Sequence, residues 1–315
     1  MLILEILFLI FGMIVLWGGA EFLVKGSSSL AIGLGIRPLI VGLTVVAMGT
    51  SSPELAVSLL AAIRDTKDLS LANIIGSNIA NIGLVVGVCA VIRPLKIEQS
   101  MLRYEVPIMI LGTLVFSWMS WDGLISQRDG VILLIGFLIF LFIMIKASKK
   151  DRSKAKLDSA FVDIRKQPGQ VMKQLLFILL GLAGLIGGSY LIVQSAEFIA
   201  AYFGVSAFII GISVVAIGTS LPELAISAVG AIRGSADLAV GNAVGSNIFN
   251  TLFVIAIVSV LLPIPVDRSL FTLHYPFMLA FTIISFPMMR SKFRLSRWEG
   301  VLLLLGYVIF MVSNF

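Results

Sequence analysis

The chain has 315 residues, 59% of them hydrophobic and 13% charged, with a mean hydropathy of +1.08. A soluble domain carries about a quarter charged residues, so this chain has too few charges to cover a surface in water. The net charge of +6 forms no patch of the kind that binds nucleic acid and instead reports membrane topology; the single cysteine, Cys89, excludes an internal disulfide.

In chain order, about ten apolar stretches reach the length of roughly 20 residues that a spanning helix requires. Their approximate limits are 2–32, 38–63, 69–92, 104–121, 128–147, 171–202, 206–231, 238–262, 271–289 and 297–314. The first lacks a basic leader and a small-residue cleavage site, so it reads as a span rather than a signal peptide. A polar, Lys/Arg-rich segment, 148–170, interrupts the series and is expected to be a flexible linker, with a short helix as the alternative. The chain thus divides into a five-span half (1–147), the linker and a second five-span half (171–315). Basic residues favour the cytoplasmic side of a membrane. Placing the linker inside collects Arg37, Arg93, Lys96, Arg103, Lys146 to Lys173, Arg233, Arg290, Lys292, Arg294 and Arg297 there. It leaves only Arg64, Lys67, Arg128 and Arg268 outside. The expectation is a multi-pass plasma-membrane protein with both termini outside.

Shifted by 169 residues, the sequence aligns with itself without a gap. IVGLTVVAMGTSSPELAVSLLAAIR (40–64) lies over IIGISVVAIGTSLPELAISAVGAIR (209–233), and GGAEFLV (18–24) lies over GGSYLIV (187–193). Five spans per half is an odd number, so the second copy enters the membrane upside down. The expected fold is an all-α membrane protein of ten transmembrane helices arranged as two inverted five-helix repeats. Such folds hold their ion sites near the midplane, where the repeats meet.

The repeat is centred on Gly49-Thr50-Ser51-Ser52-Pro53-Glu54 and Gly218-Thr219-Ser220-Leu221-Pro222-Glu223. Proline lacks an N–H and its ring clashes with the carbonyl four residues back, so each span should break here. The first piece should end near Ala47–Gly49, and the second should start with Ser51 or Ser52 as N-cap. Freed carbonyls, the Thr50 and Ser51 hydroxyls and the Glu54 carboxylate are oxygen ligands for a bare cation. The next span aligns Asn73, Ser77 and Asn81 on one helical face, repeated as Asn242, Ser246 and Asn250. Gly76 and Gly245 would admit close neighbours, and Asn78 and Asn247 should bond between helices. Two facing carboxylates in low dielectric repel. A Ca2+ ion, which takes about 6–8 oxygen ligands, or Na+ ions would relieve them. Glu21 and Glu197 have no acidic counterpart in the repeat and read as structural. His274 reads as interfacial, and Trp118 and Trp121 as part of an aromatic belt.

At these motifs the sequence resembles the Na+/Ca2+ exchangers of the Ca2+/cation antiporter superfamily, particularly the compact prokaryotic type. GTSSPE with GSNIAN and GTSLPE with GSNIFN match the family's two inverted α-repeats. The resemblance implies that Glu54 and Glu223 bridge a central Ca2+ site, completed by the Thr50 and Thr219 carbonyls. It implies flanking Na+ sites at Ala47, Ser51 and Ser77 and at Ala216, Ser220 and Ser246, with Asn81 and Asn250 facing the centre. Relatives that co-transport K+ carry Asp at the position of Asn250, which argues against K+ here. The GTSxPE form favours Na+ over H+ as coupling ion. The expected function is electrogenic Na+/Ca2+ antiport by alternating access, without enzyme activity or cofactor. Ca2+, Na+ and the lipid bilayer are its partners, with no obligate protein partner and no nucleic acid. The competing readings are an H+/Ca2+ antiporter, a K+-dependent exchanger, a cation channel and an intramembrane metalloenzyme.

Overall fold

The computed structural model describes residues 2–34, 42–63, 67–155, 170–204 and 216–313. Arg37, Arg64, the linker stretch 156–169 and the start of the seventh expected span (206–215) lie outside the described residues, as do the side chains of Lys67, Glu197 and Ala216. Among the described residues the regular structure is helical, apart from two ladders of two-residue strands. Among the described residues, seven helices are long and apolar enough to cross a membrane.

Helix α1 (Leu2–Leu34) opens the chain. A π-helical turn (Gly42–Val46) then leads into the short α2 (Ala47–Thr50) and into α3 (Ser52–Ile63). Helix α4 (Lys67–Ala80) passes through a π-helical turn, Asn81–Val86, into α5 (Gly87–Ile92). Strand β1 (Leu95–Lys96), α6 (Gln99–Arg103), α7 (Glu105–Met119), β2 (Leu124–Ile125) and α8 (Gln127–Ala155) complete the first half. Helix α8 runs past the expected membrane end at 147 and carries the start of the basic segment, to Ala155, as helix. Lys, Arg and Ala are good helix formers, and extending an existing helix avoids the cost of nucleating one.

The second half repeats the order. It comprises α9 (Gln170–Tyr202), α10 (Ala216–Thr219), α11 (Leu221–Ile232), α12 (Ala236–Phe249), a π-helical turn (Asn250–Val254) and α13 (Ile255–Leu261). Strand β3 (Ile264–Pro265), α14 (His274–Arg290), β4 (Arg294–Leu295) and α15 (Arg297–Val312) follow. The windows at 70–92 and 236–261 are 78% buried, against 11% for the window at 2–30. The two Asn-bearing helices therefore form the centre, and α1 lies outside them. Trp118 and Trp121 are exposed, as an aromatic belt requires.

Two contacts set the relation of the halves. Helices α1 and α9 run antiparallel with their backbones nearly touching. Gly12, Gly19 and Gly26, spaced seven apart, face Gly188, Gly181–Leu185 and Gln174–Ile178 in turn. A methyl at Gly19 would fall 2.7 Å from Leu185 N and 2.8 Å from the Gly181 carbonyl. Small residues permit such approach in a membrane, where dispersion contact replaces the hydrophobic drive. The second contact is the exchange of strands: β1 pairs with β4, and β2 with β3, both antiparallel. Each half completes its ladders only with strands of the other.

The packing predicts a contrast between neighbouring glycines. Gly19→Ala drives a methyl into the α9 backbone and should cost about 1–3 kcal/mol. Gly18→Ala, with nothing within 4 Å among the described residues, should be neutral or stabilising. Thermal unfolding in detergent measures both.

Candidate functional site

The two breaks are shorter than the sequence suggests. Helix α2 continues to Thr50, and the interruption is one residue, Ser51, at φ −85° and ψ 8°. Ser220 interrupts the second copy at φ −91° and ψ 3°. Both sit in the sparsely allowed bridge region between α and β, where active-site residues recur. One residue suffices because proline removes only one ladder bond. The ladder holds before the break, where Ser51 N–H donates to Ala47 O at 2.9 Å, and resumes after it, where Leu55 N–H donates to Ser51 O at 3.2 Å. Neither serine acts as the side-chain cap expected of it. Ser220 makes no cap bond, and the Ser51 hydroxyl donates across the repeat to Glu223 Oε1 at 3.1 Å.

Glu54 and Glu223 are 1% and 0% exposed and close enough for their charges to interact. Ser77 Oγ donates to Glu54 Oε1 at 3.5 Å, and the Thr50 and Ser246 hydroxyls approach Glu223. Thr50 Oγ1 also reaches Asn242 Oδ1 at 3.2 Å and the Ala47 carbonyl at 3.3 Å. Asn73 donates to Ser58 Oγ at 3.3 Å, and its repeat partner Asn242 donates to Ser227 Oγ at 3.1 Å. Thr219, Ser220, Ala47, Asn81 and Asn250 are buried with them. Ala216 opens α10, its side-chain surroundings lying outside the described residues. The structure thus joins the predicted residues of both halves. No further Asp, Glu, His or Cys forms a group of three with the pair among the described residues.

The asparagines behave as two classes. Asn247 Nδ2 donates to the Asn78 backbone carbonyl at 3.1 Å. A carbonyl only accepts, so this bond fixes the Asn247 amide with Oδ1 on its other side. That oxygen accepts from Asn81 Nδ2 at 3.0 Å, which turns Asn81 Oδ1 away. Asn250 Nδ2 likewise donates to Asn78 Oδ1 at 3.2 Å, while Asn78 Nδ2 reaches Thr251 Oγ1 at 3.0 Å. Asn78 and Asn247 are therefore the interhelical bonders, and Asn81 and Asn250 carry the spare oxygens. Six buried oxygens of this region have no hydrogen-bond partner among the described residues: Glu54 Oε2, Glu223 Oε2, Asn81 Oδ1, Asn250 Oδ1, Ser220 Oγ and Ser246 Oγ. Native interiors satisfy nearly all such atoms. An oxygen-binding cation is the occupant that would satisfy this set.

Several functional features escaped the sequence reading. Asn81 and Asn250 each open a π-helical turn, a local widening often found at functional sites; no residue spacing announces it. Thr251, aligned with Ile82, gave no repeat signal. Ser189 donates to the Gly218 carbonyl at 2.7 Å, the one that Pro222 leaves without a helical N–H. Its repeat partner is Ala20, and that mismatch was the available clue. Gly245 lets α12 meet the chain at Leu43, whose Cα would lie 2.7 Å from an added Cβ. Around Gly76 nothing lies within 4 Å among the described residues, its counterpart segment being outside them. Glu21 pairs with Arg233, in keeping with a structural role.

The family described as sodium/calcium exchanger protein matches the chain twice, over residues 4–146 and 173–315. The putative antiporter CaxA of Alkalimonas amylolytica is 36% identical over 305 residues, 96% of either chain. The inner membrane protein YrbG of Escherichia coli (strain K12) is 34% identical over 307 residues, covering 96% of this chain and 94% of its own. A solved structure of the sodium-calcium exchanger NCX_Mj superposes with a TM-score of 0.86 at 31% identity, over 99% of both chains.

The amide network yields a stability test. Asn247→Leu leaves Asn81 Nδ2 buried without its acceptor, at about 1–3 kcal/mol, and removes the bond to the Asn78 carbonyl. A marked fall in melting temperature is expected, larger than that of Asn73→Leu, which strands only the Ser58 hydroxyl.

Proposed function

The chain belongs to the sodium/calcium exchanger family, membrane antiporters rather than enzymes, and from that premise we propose that it exchanges several Na+ for one Ca2+ by alternating access at a site built on Glu54 and Glu223. The observation that carries this reading is two fully buried carboxylates in mutual range, surrounded by unpartnered oxygens. Among the described residues, neither carboxylate has a basic partner. Hard oxygen ligands and two negative charges suit Ca2+ and Na+ and disfavour soft metals.

One Ca2+ or a set of Na+ ions neutralises the pair, and each occupant uses overlapping ligands. The Thr50 and Thr219 carbonyls join the carboxylates around Ca2+. Ser51 and Ser77 on one side, Ser220 and Ser246 on the other, serve Na+ together with the carbonyls of Ala47 and Ala216. Asn81 and Asn250 contribute amide oxygens. Only the neutralised site can be closed off from water, because bare charges in low dielectric are costly. A Na+ set of more than two ions carries more charge than one Ca2+, and that difference makes the exchange electrogenic.

The proposed architecture is ten spans in two inverted repeats, with termini outside and the linker cytoplasmic. Antiparallel α1 and α9, strand exchange and the twofold family match support it. Two spans beyond the seven are those cut by the breaks at Ser51 and Ser220, and the last is α15, at 16 residues.

In proteoliposomes, an outward Na+ gradient should drive Ca2+ uptake, and K+ or pH gradients alone should not. Loss of a supporting residue at a metal site costs about 10–100-fold. Glu54→Gln and Glu223→Gln remove ligands themselves and should each slow exchange by more than about 100-fold. Uptake that persists in either variant at the wild-type rate would sink the assignment.

A further inference from the structure

The two strand ladders are counterparts in the repeat, yet their chemistry is opposite. In the β2–β3 ladder Leu124 faces Pro265 and Ile125 faces Ile264, with Asp122 and Asp267 beside them. In the β1–β4 ladder Lys96 lies directly opposite Arg294. Like charges in that register destabilise a ladder, and this one is only two residues long. Arg93, Arg290, Lys292 and Arg297 flank it, all exposed. Glu299 and Glu98, the acids nearest these strands in sequence, are both engaged. Glu299 accepts from Ser296 N–H at 2.7 Å and Ser296 Oγ at 2.6 Å in a capping box. Glu98 accepts from Ser100 Oγ at 3.0 Å. Arg93 is packed over Gly234 and Arg297 reaches the Ile92 carbonyl. Lys96, Lys292 and Arg294 have no acidic partner among the described residues.

The backbone adds a second irregularity. The Gly123 carbonyl accepts from Val266 N–H at 2.9 Å, and its counterpart, the Phe293 carbonyl, accepts from Ile97 N–H at 2.9 Å. Gly123 has φ +90°, comfortable for glycine. At the equivalent turn Lys292 and Phe293 hold φ +57° and +51°. Such conformations are unfavourable for side chains larger than Asn or Asp, and they cluster at ligand clamps. This one aims Lys292 at a cavity of about 290 Å³ lined by Pro94, Ser291, Lys292, Arg294, Ser296 and Glu299.

We propose that this cavity binds the phosphate headgroup of an anionic membrane lipid, clasped by Lys292 and Arg294 of its lining together with Lys96, which lies opposite Arg294 on the ladder. The surroundings favour a lipid over a soluble anion. Phe293 and Trp298 are exposed beside the cavity, the latter by 79%, as aromatic side chains at a membrane interface are. From Trp298 an exposed apolar row, Leu302, Leu305, Ile309 and Val312, descends α15 at helical spacing and offers a seat for an acyl chain. Basic pockets between helices bind anionic headgroups in just this setting. The proposal is independent of which ions the protein carries.

The test uses the full chain in detergent, titrated with phosphatidylglycerol, phosphatidylcholine or inorganic phosphate, with thermal shift as readout. Phosphatidylglycerol should stabilise it and the other two should not. Each basic residue near a headgroup contributes about a fivefold gain in affinity. Lys96→Ser, Lys292→Ser and Arg294→Ser should therefore each weaken phosphatidylglycerol binding by about fivefold, and the triple variant by about 100-fold. Lys292→Gly keeps the test open if the triple variant folds poorly: it relieves the left-handed turn, so its lipid-free melting temperature should rise while its lipid shift shrinks. Asp122→Ser with Asp267→Ser, on the opposite ladder, should leave the shift unchanged. Equal shifts from phosphatidylcholine, an equal effect of inorganic phosphate, or an undiminished lipid shift in Lys292→Gly would each overturn the proposal.

Discussion

Burying two carboxylates together in a membrane-spanning bundle is expensive. A charge at the centre of a bilayer-spanning helix costs about 2.5–3.5 kcal/mol on insertion scales, and a like-charged neighbour adds repulsion. Around Glu54 and Glu223 the protein supplies hydroxyls and amides, but no described basic group. Hydroxyl donors offset part of the desolvation; they do not cancel the net charge. The rest has to come from something that can enter and leave. The one-residue breaks exist because a continuous helix would keep its carbonyls engaged and its serines turned aside. Gly245, which lets α12 meet the chain at Leu43, holds the halves close enough for Ser51 of the first to donate to Glu223 of the second.

The near-symmetry of the repeat makes its failures informative. Ser51 bonds Glu223, while the equivalent Ser220 hydroxyl has no partner among the described residues. Ser189 holds the Gly218 carbonyl, and Ala20 has no hydroxyl for Gly49. Thr251 accepts from Asn78, where the first half has Ile82. The two carboxylates therefore sit in unequal hydrogen-bonding surroundings although the sequence motif around them is nearly identical. Such inequality is what a site needs if its two faces are to be opened one at a time.

Much of this was legible in the sequence because the informative residues are polar ones in an apolar background. The doubled GTSxPE segment, the i, i+4, i+8 stripe and the division of labour between Asn78/Asn247 and Asn81/Asn250 follow from helical periodicity alone. What was hidden depends on three-dimensional partners. The single-residue extent of the breaks reflects how little of the ladder one proline removes. The π-helical turns at Asn81 and Asn250 have no composition signature. The spacing of Gly12, Gly19 and Gly26 was visible, but its meaning required knowing that Gly181, Gly184 and Gly188 lie opposite. The helical continuation to Ala155 was obscured by charge, which marks water exposure rather than the absence of helix.

The exchanged ladders impose an order of assembly. Strands β1 and β2 are made early and find their partners only at 264–265 and 294–295, close to the end of the chain. Until those segments emerge and insert, the first half carries two unpaired strand edges and the buried carboxyl of Glu54 without its counterpart Glu223. An isolated first half is thus an unfinished object rather than a small domain. Its completion is tied to synthesis of the strands at 264–265 and 294–295, both late in the second half.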